Sequence, residues 1–193
     1  MKYSATKLGT LTLMLLAMTH QTASAGKALD DSTIYSGELS KDQAIHVHLF
    51  STDDADLGKA KFRDTANAMV KSAPHLLATD IVESLRAAGF TNVTLEESEG
   101  EPSASAMQVT GRFTRLDPGS QNMRVWIGFG AGESKVCISG EVTGENGEKL
   151  AKFADCQNGL GWGASGPQGD KGAEILGDRI AGFLISWESD RTD

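Results

Sequence analysis

The sequence predicts an α+β domain: a largely antiparallel β-sheet of about five to six strands, with two main helices packed on one face, after a signal peptide. Three observations carry this. Short runs in which apolar and polar residues alternate recur between turn signals, as half-buried strands do. Two segments keep helical spacing instead. The first 25 residues carry the marks of an export leader.

The leader comes first. Lys2 and Lys7 supply a positive start, Leu8 to Met18 an apolar run, and Ala23-Ser24-Ala25 a small-x-small cleavage site, so cleavage is expected after Ala25. An apolar run of roughly 11 residues is too short to cross a bilayer, which takes about 20. The expected divisions are a signal peptide at 1–25, a loose polar leader at 26–43, one domain at 44–188 and a tail at 189–193. The expected location is periplasmic or secreted. The mature form is not membrane-spanning, since no later stretch has the length and apolarity for it.

Ala44 to Phe50 places Ile45, Val47 and Leu49 on one side and His46 and His48 on the other, a strand with one buried face. Asp53, Asp54, Asp56 and Gly58 follow as a loop. A helix then begins at Pro74, which suits a first helical position, with a stripe of Leu77, Ile81, Leu85 and Ala88 and a left-handed terminator at Gly89. Residues 63–72 add at most an earlier turn or two, broken before the proline. Thr91 to Glu96 is a short strand, and residues 97–105 an acidic loop. Strands follow at 107–113, 123–129, 135–143 and 148–156. Asp117-Pro118-Gly119-Ser120 is a turn signal, and Asn146-Gly147 a two-residue hairpin signal. The segment 157–172 holds six glycines and one proline and reads as a loop. A last helix spans about 171–187, with Ala173, Leu176, Ile180, Phe183 or Leu184, and Trp187 as its stripe. The first strand–helix–strand unit is open to a parallel arrangement.

Charge narrows the function. The chain carries a net charge of −8. The leader holds two lysines and no acid, so its removal takes the charge to −10. An acidic chain repels phosphate backbones, so no nucleic acid is expected as a partner.

Arg124 to Lys135, RVWIGFGAGESK, has the look of a phosphate loop but fails its tests. A phosphate loop runs from a strand into a helix, and the residues after Gly132 read as a strand. The position three after Gly130 is Glu133, not glycine, and Gly-Glu-Ser-Lys is not the Walker order. Glycines at 128, 130 and 132 instead clear one side of a strand end, permitting a bulge, a bend or the close approach of another backbone. Arg124 and Trp126 are of types enriched at interfaces. Arg124, Trp126, Gly128, Gly130 and Gly132 are therefore the interaction candidates, against the plainer reading of Trp126 as core and Arg124 as a partner for a nearby acid.

Cys137 and Cys156 are the only cysteines, an even pair in an exported chain. If Asn146-Gly147 centres the hairpin, the two stand directly opposite each other, sharing a face with Ser139, Glu141, Lys152 and Ala154. The other face, with Val136, Ile138, Val142, Ala151 and Phe153, turns to the core. A cross-strand disulfide is expected. Counting from a two-residue turn puts the pair at a hydrogen-bonded site, somewhat wide for the bond unless a bulge intervenes. His46 and His48 share a strand face, and with His75 or an acid from 53–56 they form the alternative reading, a small-ligand or metal site. No compact ligand motif accompanies them, so no metal or cofactor is expected. No nucleophile elbow or other enzyme motif is present, so the chain is not expected to be an enzyme.

The run Val109 to Ser120, with Met123 to Ser134, resembles the domain of unknown function 4410 family of bacterial exported proteins and lipoproteins. Ile45 to Phe50 is similar to its opening strand, and Leu85 to Phe90 to its helix end. More remotely the layout resembles small envelope domains of the curli-secretion lipoprotein, penicillin-binding-protein activator lipoprotein and TolB amino-terminal groups. The resemblance implies an envelope role through protein contacts, with other envelope proteins or with itself, and names no catalytic residue. The chain departs from lipoproteins in lacking a lipidation cysteine, and it has no amphipathic hairpin long enough for a barrel.

Overall fold

The computed structural model describes residues 27–97, 106–119, 133–159 and 168–189. Among these residues six strands form one sheet: β1 (Asp31–Ile34), β2 (Ile45–His48), β3 (Val93–Glu96), β4 (Met107–Asp117), β5 (Lys135–Thr143) and β6 (Lys149–Asn158). Two helices accompany them, α1 (Arg63–Ala87) between β2 and β3, and α2 (Gln168–Ser189) after β6. Across the sheet the order is β1-β6-β5-β4-β2-β3. The pairings β1–β6, β6–β5 and β5–β4 are antiparallel. Those of β2 with β3 and with β4 are parallel, so the first strand–helix–strand unit is a parallel one.

Register sorts the residues by face. Ile45 lies beside both Val93 and Met107, and Val109 beside Val142. Ile138, Val142, Ala151 and Phe153 continue this apolar face, which forms a single core with Leu77, Ile81 and Leu85 of α1 and Leu176, Ile180 and Leu184 of α2. The opposite face carries His46, His48, Thr110, Arg112, Glu141 and Lys152.

Three expectations are corrected. The helix does not start at Pro74: α1 is one helix of 25 residues with Pro74 buried inside it. An interior proline costs a helix about 3 kcal/mol. Here the apolar stripe runs on through Ala66, Met69 and Ala73, whose burial offsets that cost. The segment 26–43 is not loose: β1 pairs with β6, and Leu39 is fully buried. The strand from 107 runs on to Asp117, with Thr114 bulged out between Phe113 and Arg115. The strand expected at 123–129 lies outside the described residues.

Gly89 ends α1 as its position suggests. It takes φ +94°, donates its N–H to the Arg86 carbonyl, and lets the Phe90 N–H return to Leu85. That is the paired closure of a Schellman motif.

Candidate interaction surface

The β5–β6 hairpin turns differently from the two-residue loop its sequence suggests. Gly147 donates to Gly144 and alone of the turn residues takes positive φ, +77°, while the Gly144 N–H bonds to Glu148. This is a three-residue loop closed by a left-handed glycine. A second irregularity follows at once: Thr143 faces Lys149 and Val142 faces Ala151, leaving Leu150 as the extra residue. The two offsets restore the facing of Cys137 and Cys156 but reverse the hydrogen-bonding phase. The cysteines are disulfide-bonded with their Cα atoms 4.1 Å apart, the close spacing of a non-hydrogen-bonded pair. Cys156 sends its N–H to the Asp155 carboxylate instead, at 2.7 Å.

The histidines are drawn to different neighbours. His48 Nε2 stands 2.6 Å from Gln108 Oε1. Gln108 donates its amide N–H to the Ala106 carbonyl, so its oxygen is the group facing the ring and His48 is the donor. His46 Nδ1 lies 3.5 Å from Glu96 on the other side. His75 is an exposed residue of α1, and that helix packs on the opposite face of the sheet. Asp53 bonds Ser51, and Asp56 lies by Arg115. Among the described residues no group of three or more His, Cys, Asp or Glu side chains is placed to hold a metal.

Two acidic sites were not anticipated. Asp155 is fully buried, and Arg179 of α2 reaches it at 2.9 Å while bonding Gln157 with its other nitrogen. Burial pushes the Asp155 carboxyl up, against the pull of Arg179, and Asp30 adds to the rise. Asp30 itself is held low, chiefly by its hydrogen bond with Lys27. Parity carried a signal here, since Asp155 shares its strand face with Ala151 and Phe153. The second site is where α1 meets α2. A side chain on Gly177 would fall 2.8 Å from the Leu77 carbonyl oxygen and 2.9 Å from Asp80 Cβ, so the helices approach through that glycine. Asp80 is pushed up to about 7 by burial first and then by Asp178 and Glu174.

The remaining feature is the sheet edge at β1. Ile34 and Tyr35 are the large hydrophobic residues left exposed among those described, at 43% and 51%. Ile34 is the last residue of β1, an edge strand of the sheet, and Tyr35 follows it. Arg124, Trp126, Gly128, Gly130 and Gly132 lie outside the described residues, so the structure does not place them.

Mixed sheet, helix pair and cross-strand disulfide define an α+β domain whose exposed features are a polar sheet face and a strand edge. The family profile for the domain of unknown function DUF4410 matches residues 29–163, and the chain belongs to that family. No curated protein matches it. Among solved structures it is similar to the PelC dodecamer from Paraburkholderia phytofirmans, at 16% identity and a TM-score of 0.50 over 80% of this chain and 97% of that one. A second crystal form, of a PelC variant, gives 17% identity and 0.50 over 80% and 98%. A Xanthomonas campestris protein of family DUF330 is 8% identical with a TM-score of 0.42, over 79% and 90%. These likenesses concern the fold. Among the described residues no helix is long and apolar enough to cross a membrane.

Proposed function

We propose that this chain is an exported cell-envelope protein that acts as a non-catalytic assembly module, binding copies of itself or other envelope proteins. The observation that carries the reading is the exposed pair Ile34–Tyr35 at the end of edge strand β1. Apolar side chains left in water on both faces of a sheet edge favour contact with another surface. Two further observations support it. A disulfide between Cys137 and Cys156 suits an oxidising compartment, in keeping with the leader. The similar fold of PelC was solved as a dodecamer.

The test is to express the full chain untagged, fractionate the cells, and measure the native mass of the purified protein with whatever accompanies it. The expected result is a chain cleaved after Ala25, outside the cytoplasm, running as a defined oligomer or with a stoichiometric partner. A chain kept in the cytoplasm, or a monomer without partner at every concentration, overturns the reading.

A further inference from the structure

Resting on the self-association reading, we infer that two copies pair edge to edge through β1, antiparallel about a two-fold axis at Thr33. The backbone phase admits this register, and the neighbours it brings together favour it. Tyr35 donates its N–H to Leu150, and Asp31 and Thr33 alternate with it on the side facing β6. The N–H and C=O groups of Ser32 and Ile34 therefore point outward, away from the sheet. A second copy centred on Thr33 sets Ser32 against Ile34 of the other copy, and Ile34 against its Ser32. Both pairs exchange two hydrogen bonds, which satisfies all the outward groups at once. Shifting the axis by one residue to Ser32 leaves Ile34 facing Asp30 of the other copy, an acid held by Lys27.

Charge fits the same register. Thr33 meets Thr33 of the second copy, a favourable cross-strand pair. Asp31 comes opposite Tyr35 of the second copy, on the face where Lys152 stands beside Thr33 and Lys149 is paired with Glu141. The two Asp31 carboxylates fall at opposite ends of the ribbon, so like charges do not meet. Ile34 covers the other face beside Ser32 of the second copy. The interface is isologous, as a two-fold pair requires.

The test uses the full chain, expressed with its own leader. Thr33→Cys should form a disulfide-linked dimer on mild oxidation, because a non-hydrogen-bonded cross-strand pair is close enough to bridge. Asp31→Cys, which faces Tyr35 in this register, should not. Ile34→Pro removes one outward N–H per copy and no bond to β6; it should weaken association by roughly tenfold or more while melting near the wild type. Wild-type protein that assembles while Thr33→Cys fails to link and Ile34→Pro assembles equally well overturns this interface and leaves the assembly reading standing. Wild-type protein that stays monomeric removes this interface and the self-association it rests on, and a monomer that also lacks any partner removes the assembly reading as well.

Discussion

Gly111 and Gly140 stand opposite each other on β4 and β5, and the space their side chains would fill is taken by two phenylalanine rings. A Cβ on Gly111 would lie 2.4 Å from the Phe50 ring and 2.7 Å from the Ser139 carbonyl oxygen. One on Gly140 would lie 2.5 Å from Phe153 and 2.6 Å from the Thr110 carbonyl oxygen. Phe50 and Phe153 stack at 6.2 Å over this paired floor, and Phe153 passes the contact on to Phe183 of α2. Alanine at either glycine should cost about 1–3 kcal/mol, the usual penalty of overpacking, because a backbone oxygen blocks the new methyl. Urea unfolding of Gly111→Ala and Gly140→Ala measures it. Alanine at Gly182, inside α2 where a Cβ meets nothing within 4 Å, is the clash-free comparison and should instead stabilise by about 0.5–1 kcal/mol through helix propensity.

The buried Asp155–Arg179 pair gives an asymmetric prediction. Arg179→Ala leaves a fully buried carboxylate without its cation and should cost about 3–5 kcal/mol. Asp155→Asn with Arg179→Met should cost much less, because it removes both charges together. Chemical denaturation of the single and double variants separates these outcomes.

Asp80 sets a pH dependence whose sign is fixed. Its carboxyl is raised in the folded chain to about 7, from 3.8. The folded state thus holds this proton more tightly than the unfolded state, and stability falls as pH rises from about 4 through about 7. Asp155, also raised, acts in the same sense, while Asp30, lowered, opposes it. Melting temperature should drop between pH 5 and pH 8. Asp80→Asn should shrink that drop and melt higher than the wild type at pH 8. An unchanged drop would mean that the Asp80 carboxyl is not raised in the folded chain.

Reducing the disulfide should lower stability by about 3 kcal/mol, the loop-closure value for a separation near the 19 residues here. The β5–β6 ladder supplies its own hydrogen bonds, so the reduced chain should keep its far-ultraviolet dichroism. Unfolding with and without reductant, alongside Cys137→Ser with Cys156→Ser, provides the measurement.

What the sequence shows of this fold follows from which signals are local. Alternation in Ile45-His46-Val47-His48 and in the Val136 to Val142 stretch is a property of neighbouring residues, so strand faces were legible. So was Gly89, whose role depends on one backbone angle. The facing of Cys137 and Cys156 came out right although the turn was misjudged, because Leu150 bulges to cancel the offset at Gly147. Pro74 misled because its local penalty was plain and the compensating burial of Ala66, Met69 and Ala73 was not. β1 was missed for the same reason: Asp31 to Ile34 has no pattern of its own and becomes a strand only against β6. The acidic contact at Asp80 and Asp178 joins residues far apart in sequence, and neither segment alone announces it.

The β1–β6 pairing also sets an order of events. The first strand of the sheet waits for the last, with more than half the chain between Ile34 and Ala151. Closing so long a loop is entropically slow, and a chain that emerges amino terminus first exposes β1 well before its partner exists. The five strands from β2 to β6 can form a sheet before β1 joins. A late-docking strand with apolar residues at its end has time to meet another molecule, so assembly can begin while each copy is still completing its own sheet.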